Sequence, residues 1–267
     1  MIDFIYKKLL KPVFKASKLG NRITKGEADS GLNLDHMYLG CARGIGKFGN
    51  FIDGVLLNFP SVKATRKKRA ILIKVLSNEV ANNVINNKTS RIVDLASGPS
   101  RYLIDLVTKF YQHNVEVLCI DNDKFSVNFG RRITHNKPIR YTKANIFKLE
   151  TLKRFSKNVK WIPNIIVITG FFETHDNNIM RKILSEIFTN LAEGGLVLFT
   201  SQMDNPSKVL MEKIGKTRNG SPWLLYFRKP DELRRSLIEI GFKDVIISID
   251  EWGIYEYCTG RKYTVNK

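Results

Sequence analysis

Short apolar runs alternate with longer segments of helical periodicity through residues 89–262. The first five runs lie at residues 92–93, 115–120, 138–143, 165–168 and 196–201. Parallel strands need crossover helices between them, so this alternation predicts an α/β fold with a mostly parallel sheet. Two last runs, at residues 245–249 and 254–259, are close enough in sequence to form a C-terminal antiparallel hairpin.

Helices are predicted between these runs and before them. They cover residues 50–86, 102–111, 123–132, 147–160, 178–192 and 231–240. Residues 20–49 are rich in glycine and polar side chains, and they predict a loop with short helical turns. We therefore expect a helical N-terminal extension over residues 1–88 and an α/β domain over residues 89–267.

The first 19 residues predict a basic amphipathic helix. Its apolar side carries Ile2, Ile5, Leu9, Val13 and Phe14, while the lysines fall mostly elsewhere. Pro12 is expected to kink or split this helix. Two interpretations are open, namely an interfacial helix lying on anionic lipid or a helix whose apolar side packs on the α/β domain.

The stretch RIVDLASGPSRY, residues 91–102, predicts a strand, a tight turn and the start of a helix. Asp94 stands in the strand, and the turn contains Ala96, Gly98 and Ser100. Small residues let the backbone approach a ligand, and a helix N-terminus offers unpaired N–H groups to its polar atoms. The turn is therefore a candidate cofactor cradle, although an ordinary strand-to-helix turn has the same local pattern.

Polar residues also follow the next two predicted strands. Asp121 ends the second run, 23 residues after Gly98, where an acidic side chain can bind ribose hydroxyls. Asn122 lies beside it, and Asn145 with Ile146 follows the third run. The polar residues at these two strand ends therefore both predict a nucleotide-type ligand.

The fourth run is apolar at every position and predicts a central strand buried on both faces. It leads into the segment Thr169, Gly170, Phe171, Phe172, Glu173, Thr174, His175 and Asp176. Doubly wound folds bind ligands at the carboxyl ends of such strands, so Glu173 and His175 are candidate catalytic residues. Asp176 is the best candidate for capping the helix that begins near residue 177.

The spacing D-x-A-x-G-x-S, followed by Asp121, resembles the cofactor-binding half of class I S-adenosylmethionine-dependent methyltransferases. Their first motif is usually D/E-x-G-x-G-x-G, so Ala96 and Ser100 replace glycines. The segments SGLNLDHMY, TGFFETHDN, LAEGGLVLFTSQ and IDEWGIY also resemble, in this order, a family of uncharacterised bacterial methyltransferases over residues 28–262. His175 stands where that family tends to have an aromatic residue.

This resemblance implies a Rossmann-like class I methyltransferase fold with a seven-stranded sheet, and S-adenosylmethionine as the cofactor. The implied contacts are Asp94, Ala96, Gly98 and Ser100 at the methionine end, Asp121 with Asn122 at the ribose, Asn145 with Ile146 at adenine, and Thr169 with Phe171 in the floor.

The region before the first strand folds over the cofactor in many class I methyltransferases. The resemblance therefore makes Tyr38 and Arg43 candidate lid residues. His36, two residues before Tyr38, is expected at the surface or at a helix cap.

The charge balance indicates an anionic partner. The chain has 44 Lys and Arg against 25 Asp and Glu, a formal net charge of +19. Residues 1–90 hold 16 of the basic residues and only 6 of the acidic ones. An anionic partner should therefore dock on the N-terminal third, although the basic run KATRKKR at residues 63–69 is also typical of a solvated helix face.

Cysteine usage and hydropathy indicate the compartment. Cys41, Cys119 and Cys258 are far apart and odd in number, which fits a reducing compartment and offers no metal cluster. Cys119 is expected in the core. No apolar run approaches the roughly 18 residues of a spanning helix. We expect a cytoplasmic protein that contacts the inner membrane surface peripherally.

The sequence also disfavours some acceptors. No Asn-Pro-Pro-Tyr type tetrapeptide and no Pro-Cys or Thr-Cys pair follows the fourth strand, so methylation of base amines or of pyrimidine carbon 5 is disfavoured. A small-molecule or lipid-like acceptor is the leading hypothesis, and no metal is expected. An RNA methyltransferase using the basic N-terminal third, or a degenerate fold that only binds partners, are the alternatives.

Overall fold

The structure, a computed structural model, describes residues 10–148 and 161–263. The first half of the amphipathic segment at residues 1–19 and nearly all of the helix expected at residues 147–160 lie outside these ranges. The chain divides into two compact units. One unit contains the described residues up to 69 together with residues 205–225, and the other contains residues 70–204 and those from 226 onward.

The second unit contains one seven-stranded sheet. Its strands are β1 (Ser90–Leu95), β2 (Val115–Asp121), β3 (Ile139–Lys143), β4 (Ile165–Ile168), β5 (Leu196–Gln202), β6 (Phe242–Ile249) and β7 (Tyr255–Lys262), in the spatial order β3-β2-β1-β4-β5-β7-β6. Strands β1 to β5 are parallel, whereas β7 is antiparallel to both β5 and β6. The predicted mostly parallel sheet with a C-terminal antiparallel hairpin is confirmed.

Helices precede and separate the strands. They are α1 (Lys11–Ala16), α2 (Lys18–Lys25), α3 (Gly31–Leu39), α4 (Gly46–Leu57), α5 (Pro60–Ile85), α6 (Arg101–Lys109), α7 (Lys124–Ile133), α8 (Asn177–Asn190), α9 (Lys208–Ile214) and α10 (Pro230–Ile240), with a 3-10 turn at Phe172–Thr174. No helix among the described residues combines the length and apolar character that crossing a bilayer requires.

The core of the second unit lies between the sheet and helices α8 and α10. Every residue of β4 and β5 is buried, as the continuous apolar runs predict. Met180, Ile183 and Leu184 of α8 pack in the same cluster as Leu233 and Leu237 of α10. Each such side chain contributes about 1.5–3 kcal/mol when fully buried, so this layer fixes where the strand ends lie.

The prediction of a loop over residues 20–49 is wrong, because most of that region is helical. Ser17 and Ser30 cap α2 and α3 by accepting hydrogen bonds from backbone N–H groups. Gly26 and Gly40 end these helices in the left-handed conformation, with φ of 97° and 64°. The glycines therefore mark helix ends. The helical region predicted at residues 50–86 is present and consists of two helices, with Pro60 as the first residue of α5.

His36 lies in the interior of the first unit, so the expectation of a surface position is wrong. Its side chain is 3% exposed, and Nε2 lies 3.1 Å from Oδ2 of Asp53. Asp53 also accepts hydrogen bonds from the Ser17 hydroxyl and from the backbone N–H groups of Leu19 and Arg43. Burial would raise the pKa of Asp53, but these hydrogen bonds outweigh it and hold the pKa well below its usual range.

The basic run at residues 63–69 is not a solvated face throughout, which corrects that interpretation. Lys68 is fully buried, while Lys63 and Lys67 are exposed. Arg66 donates to the carbonyl oxygens of Met37 and Leu57 at 3.2 and 2.9 Å. These carbonyls belong to the last turns of α3 and α4, where a cation satisfies groups that lack helical partners. Part of the run's charge therefore serves internal packing.

Candidate functional site

Three alternate residues of the turn after β1 are left-handed. Ala96, Gly98 and Ser100 have φ of 51°, 54° and 48°. Only glycine adopts this conformation without strain, and other residues pay roughly 1–2 kcal/mol for it. The turn therefore keeps a backbone shape suited to three glycines even though two of its residues carry side chains.

Ser100 uses its side chain to bind the strand that precedes the turn. Its hydroxyl donates to Oδ2 of Asp94 at 2.5 Å, and the Cys119 thiol donates to the same hydroxyl oxygen at 3.4 Å. Cys119 is fully buried, as expected. A glycine at position 100 could not make the bond to Asp94, so the replacement adds a contact that offsets part of the backbone strain.

Asp94 is buried at the carboxyl end of β1. Its side chain is fully buried. Burial raises the pKa of Asp94 to about 7, against the opposing hydrogen bonds from Ser100 and Tyr102. A buried carboxylate in this position fits a ligand that brings an N–H donor or a positive charge.

Asp121 joins the turn after β1 to the turn after β2. Its Oδ2 accepts from the Gly98 N–H and its Oδ1 from the Asp123 N–H, both at 2.7 Å. Each carboxylate oxygen can accept further hydrogen bonds, so this contact leaves capacity for ligand hydroxyls. Asn122, next in the chain, is exposed. The two strand-end carboxylates singled out from the sequence thus lie at one edge of the sheet.

The residues after β3 reach the loop after β4. Oδ1 of Asn145 accepts from the Phe147 N–H at 2.9 Å, and Ile146 is buried in the core. The Phe147 ring lies 5.6 Å from the Phe171 ring and 5.5 Å from the His175 ring, measured between centroids. Strands β2 and β1 separate β3 from β4, so the two loops meet across the ends of these strands.

The loop after β4 presents a flat aromatic pair. The rings of Phe171 and His175 are stacked with centroids 3.9 Å apart and an interplanar angle of 17°. Thr169 is buried, and the Gly170 N–H donates to the Thr200 hydroxyl at 3.1 Å. His175 thus packs as an aromatic ring would, which agrees with the aromatic residue that the resembling family tends to have there.

The tautomer of His175 follows from its hydrogen bonds. Nδ1 lies 2.8 Å from the carbonyl oxygen of Phe171, which can only accept, so Nδ1 carries the proton. Nε2 then holds a lone pair. Burial lowers the pKa of His175 below its usual 6.5, which favours this neutral form.

Glu173 faces the interior. Its side chain is 3% exposed, and Oε1 accepts from the Thr200 hydroxyl at 2.8 Å. Its backbone carbonyl accepts from the Tyr226 N–H at 2.8 Å. Asp176, two residues after His175, caps α8 by accepting from the Ile179 N–H at 2.9 Å, which confirms its predicted role.

Arg228 is a site residue that the sequence analysis missed. Its side chain is 3% exposed and donates to the carbonyl oxygen of Phe172 at 2.8 Å, to that of His175, and to Oδ1 of Asn177 at 2.6 Å. It therefore holds the second half of the loop after β4 and the start of α8. Nothing in the local pattern around position 228 signals this contact.

The two candidate lid residues belong to a different unit of the chain from the residues described above. Tyr38 and Arg43 belong to the first unit, and their role as a lid stays a prediction. Among residues 10–148 and 161–263, no group of three or more His, Cys, Asp or Glu side chains is arranged to hold a metal ion.

Comparisons with known proteins agree with this geometry. An Escherichia coli K12 protein, the uncharacterized protein YnbC, is 24% identical over 233 residues. The match covers 85% of this chain but only 39% of YnbC, so the chain spans about two-fifths of that relative's length.

Solved structures share the fold. A Bordetella parapertussis protein, described as a possible exported protein, superposes with a TM-score of 0.72 at 15% identity, covering 95% of this chain and 86% of that one. The magnesium protoporphyrin IX methyltransferase ChlM of Synechocystis PCC 6803, solved with bound SAH, gives a TM-score of 0.56 at 10% identity, covering 76% and 87%. Residues 5–262 match a family described as "Putative methyltransferase", and the chain belongs to that family.

Proposed function

We propose that the protein is an S-adenosylmethionine-dependent methyltransferase that acts on a small-molecule or amphiphilic acceptor. The observation that carries the proposal is the turn after β1, whose three left-handed residues lie between Asp94 and Asp121. Ala96 and Ser100 keep the backbone shape of a glycine-rich motif. This supports a working cofactor site over a degenerate fold that only binds partners.

The residues at this edge of the sheet fit the cofactor. The buried carboxylate of Asp94 suits the cationic methionine end, and Asp121 retains acceptor capacity for ribose hydroxyls. Asn145 with Ile146 would contact adenine, and Thr169 with Phe171 would line the floor. Bound there, S-adenosylmethionine supplies a methyl group activated by a sulfonium.

The chain itself would orient the acceptor and hold its proton. The half-exposed Phe147 ring and the stacked Phe171 and His175 rings offer an apolar, flat surface beside the strand ends. Methyl transfer depends chiefly on holding the acceptor in line, which such a surface can do. Where the acceptor carries a proton, the Nε2 lone pair of His175 would accept it.

Glu173, the other catalytic candidate from the sequence, has a different environment. Its buried carboxylate accepts from Thr200, and we assign it to positioning the loop after β4 rather than to proton transfer. The RNA alternative loses part of its support as well, because Arg66 and the buried Lys68 of the basic run are used inside the protein.

A methyl-labelling experiment tests this proposal. The protein is incubated with methyl-labelled S-adenosylmethionine and, separately, with a bacterial lipid extract, a small-metabolite extract and total RNA. We expect label in the lipid or metabolite fraction and no label in RNA. Label in RNA alone would support the alternative acceptor. Calorimetry that detects no S-adenosylmethionine binding would contradict the proposal as a whole.

A further inference from the structure

A row of apolar side chains is exposed along α4. Ile45, immediately before the helix, is 76% exposed, and Phe48, Phe51 and Val55 are 61%, 67% and 43% exposed. Residues three or four apart share one face of a helix, so these side chains form a single stripe. Singly exposed apolar residues are ordinary, but a contiguous apolar stripe marks an interaction surface.

The opposite face of α4 is firmly seated in the first unit. Asp53 is fully buried there among the hydrogen bonds described above, and Leu57 packs in the unit's core. A Cβ added at Gly49 would lie 2.4 Å from the carbonyl oxygen of Ala16, so α4 is in close contact with the backbone at the end of α1. The Ile45 N–H also donates to that oxygen, at 2.9 Å. The stripe is therefore held outward by the packing of α4.

The exposed charges next to the stripe in sequence are cations. Between residues 40 and 60 the charged side chains are Arg43, Lys47 and Asp53, and only the two cations are exposed. Arg43 lies two residues before Ile45 and Lys47 directly precedes Phe48, so both charges flank the N-terminal end of the stripe. Apolar side chains flanked by exposed cations match the surface of an anionic bilayer.

We propose that this stripe, formed by Ile45, Phe48, Phe51 and Val55, inserts into the interfacial region of an anionic lipid bilayer. Arg43 and Lys47 would contact the headgroups. The stripe is a different surface from the apolar side predicted for residues 1–19, for which lipid contact is one of two interpretations. It is also independent of the proposed function, because attachment is measured without turnover.

Flotation with lipid vesicles tests the proposal on the full chain. We expect the protein to float with vesicles of equal parts phosphatidylcholine and phosphatidylglycerol, and not with phosphatidylcholine alone. Partitioning of the double variant Phe48→Ser/Phe51→Ser onto the vesicles should be at least roughly tenfold weaker, because the apolar area buried in the bilayer is lost. The matched control is Phe125→Ser, which removes a 76% exposed ring from α7 and should leave flotation unchanged.

A fluorescent probe separates lipid insertion from other uses of the stripe. Brominated phosphatidylcholine in the same anionic vesicles should quench Phe51→Trp more strongly than the wild type, whose three tryptophans give the background, and should quench Phe125→Trp no more strongly than the wild type. Equal quenching of the two variants would overturn the proposal. So would wild-type flotation in the Phe48→Ser/Phe51→Ser variant. If that variant instead abolishes self-association seen by sedimentation of the wild type, the stripe binds a second copy and the lipid proposal is wrong.

Discussion

The turn after β1 and the loop after β4 lie at the ends of neighbouring strands, yet different interactions hold them. The turn is held by nearby parts of the chain, through the Ser100 bond to Asp94 and the Asp121 bond to Gly98, which is 23 residues away. The loop is held by Arg228, which is 51 and 56 residues from Asn177 and Phe172. The geometry of the proposed cofactor side is therefore local, whereas the geometry of the proposed acceptor side depends on tertiary structure.

This difference predicts that substitutions can disturb one region and spare the other. The largest effect is expected for Arg228→Met. The change leaves two loop carbonyls and the nearby buried carboxylates without their cation, so we expect the free energy of unfolding to fall by about 3–5 kcal/mol. Urea denaturation would measure it.

Arg181→Met provides the matched control for that experiment. Arg181 is about 40% exposed and pairs with Glu239 at 2.8 Å on the surface. Surface pairs are worth at most about 1 kcal/mol, so this variant should be nearly as stable as the wild type. Equal losses in the two variants would contradict the role given to Arg228.

Asp121→Ala should act on the turn after β1. It removes two charge-assisted hydrogen bonds to the backbone and the proposed ribose contact, each worth about 1.5–3 kcal/mol. We expect S-adenosylmethionine affinity to fall at least about tenfold by calorimetry. Asp123→Ala, which removes the cap of α7, should cost about 1 kcal/mol of stability and leave affinity unchanged. If both variants bind the cofactor normally, the site is misassigned.

The side chains of the turn allow a finer test. Ser100→Ala loses the hydroxyl and keeps the left-handed strain, whereas Ser100→Gly loses the hydroxyl but relieves the strain. The glycine variant should therefore be about 1 kcal/mol more stable than the alanine variant. Ala96→Gly should likewise be neutral or stabilising, by up to about 1 kcal/mol. Thermal unfolding would measure the stabilities of the three variants. If Ser100→Gly is no more stable than Ser100→Ala, the strain is absent.

The smallest effect concerns the charge of His175. Because its pKa is below 6.5 in the folded protein, the unfolded chain takes up the extra proton first as the pH falls. Its contribution to stability is therefore complete above pH 6.5 and decreases as the pH falls toward the folded pKa. Nitrogen-detected NMR should show a neutral ring with its proton on Nδ1 at pH 7. A charged ring at that pH would exclude it as a base.

The sequence predicted most of the sheet because strands and crossover helices have local signatures. The apolar runs, the strand-end carboxylates Asp94 and Asp121, and the cap at Asp176 all depend on neighbouring residues. The buried position of His36 and the internal use of Arg66 depend on partners 9 to 29 residues away, and charge patterns do not reveal such partners. The contacts of Arg228 were not predicted for the same reason, since they form only once β4 and β5 lie side by side.

The way the chain leaves and re-enters the sheet bears on how this architecture can diversify. Residues 205–225 belong to the first unit, but their two ends are fastened together in the second. The Arg228 N–H donates to the Gln202 carbonyl at 2.9 Å, and Phe227 forms a β-bridge with Gln202. An excursion with closed ends can be lengthened, shortened or exchanged at little entropic expense to the sheet. The sheet therefore tolerates changes in the 205–225 segment, whereas the first unit constrains them, because Leu210 and Ile214 pack in its core.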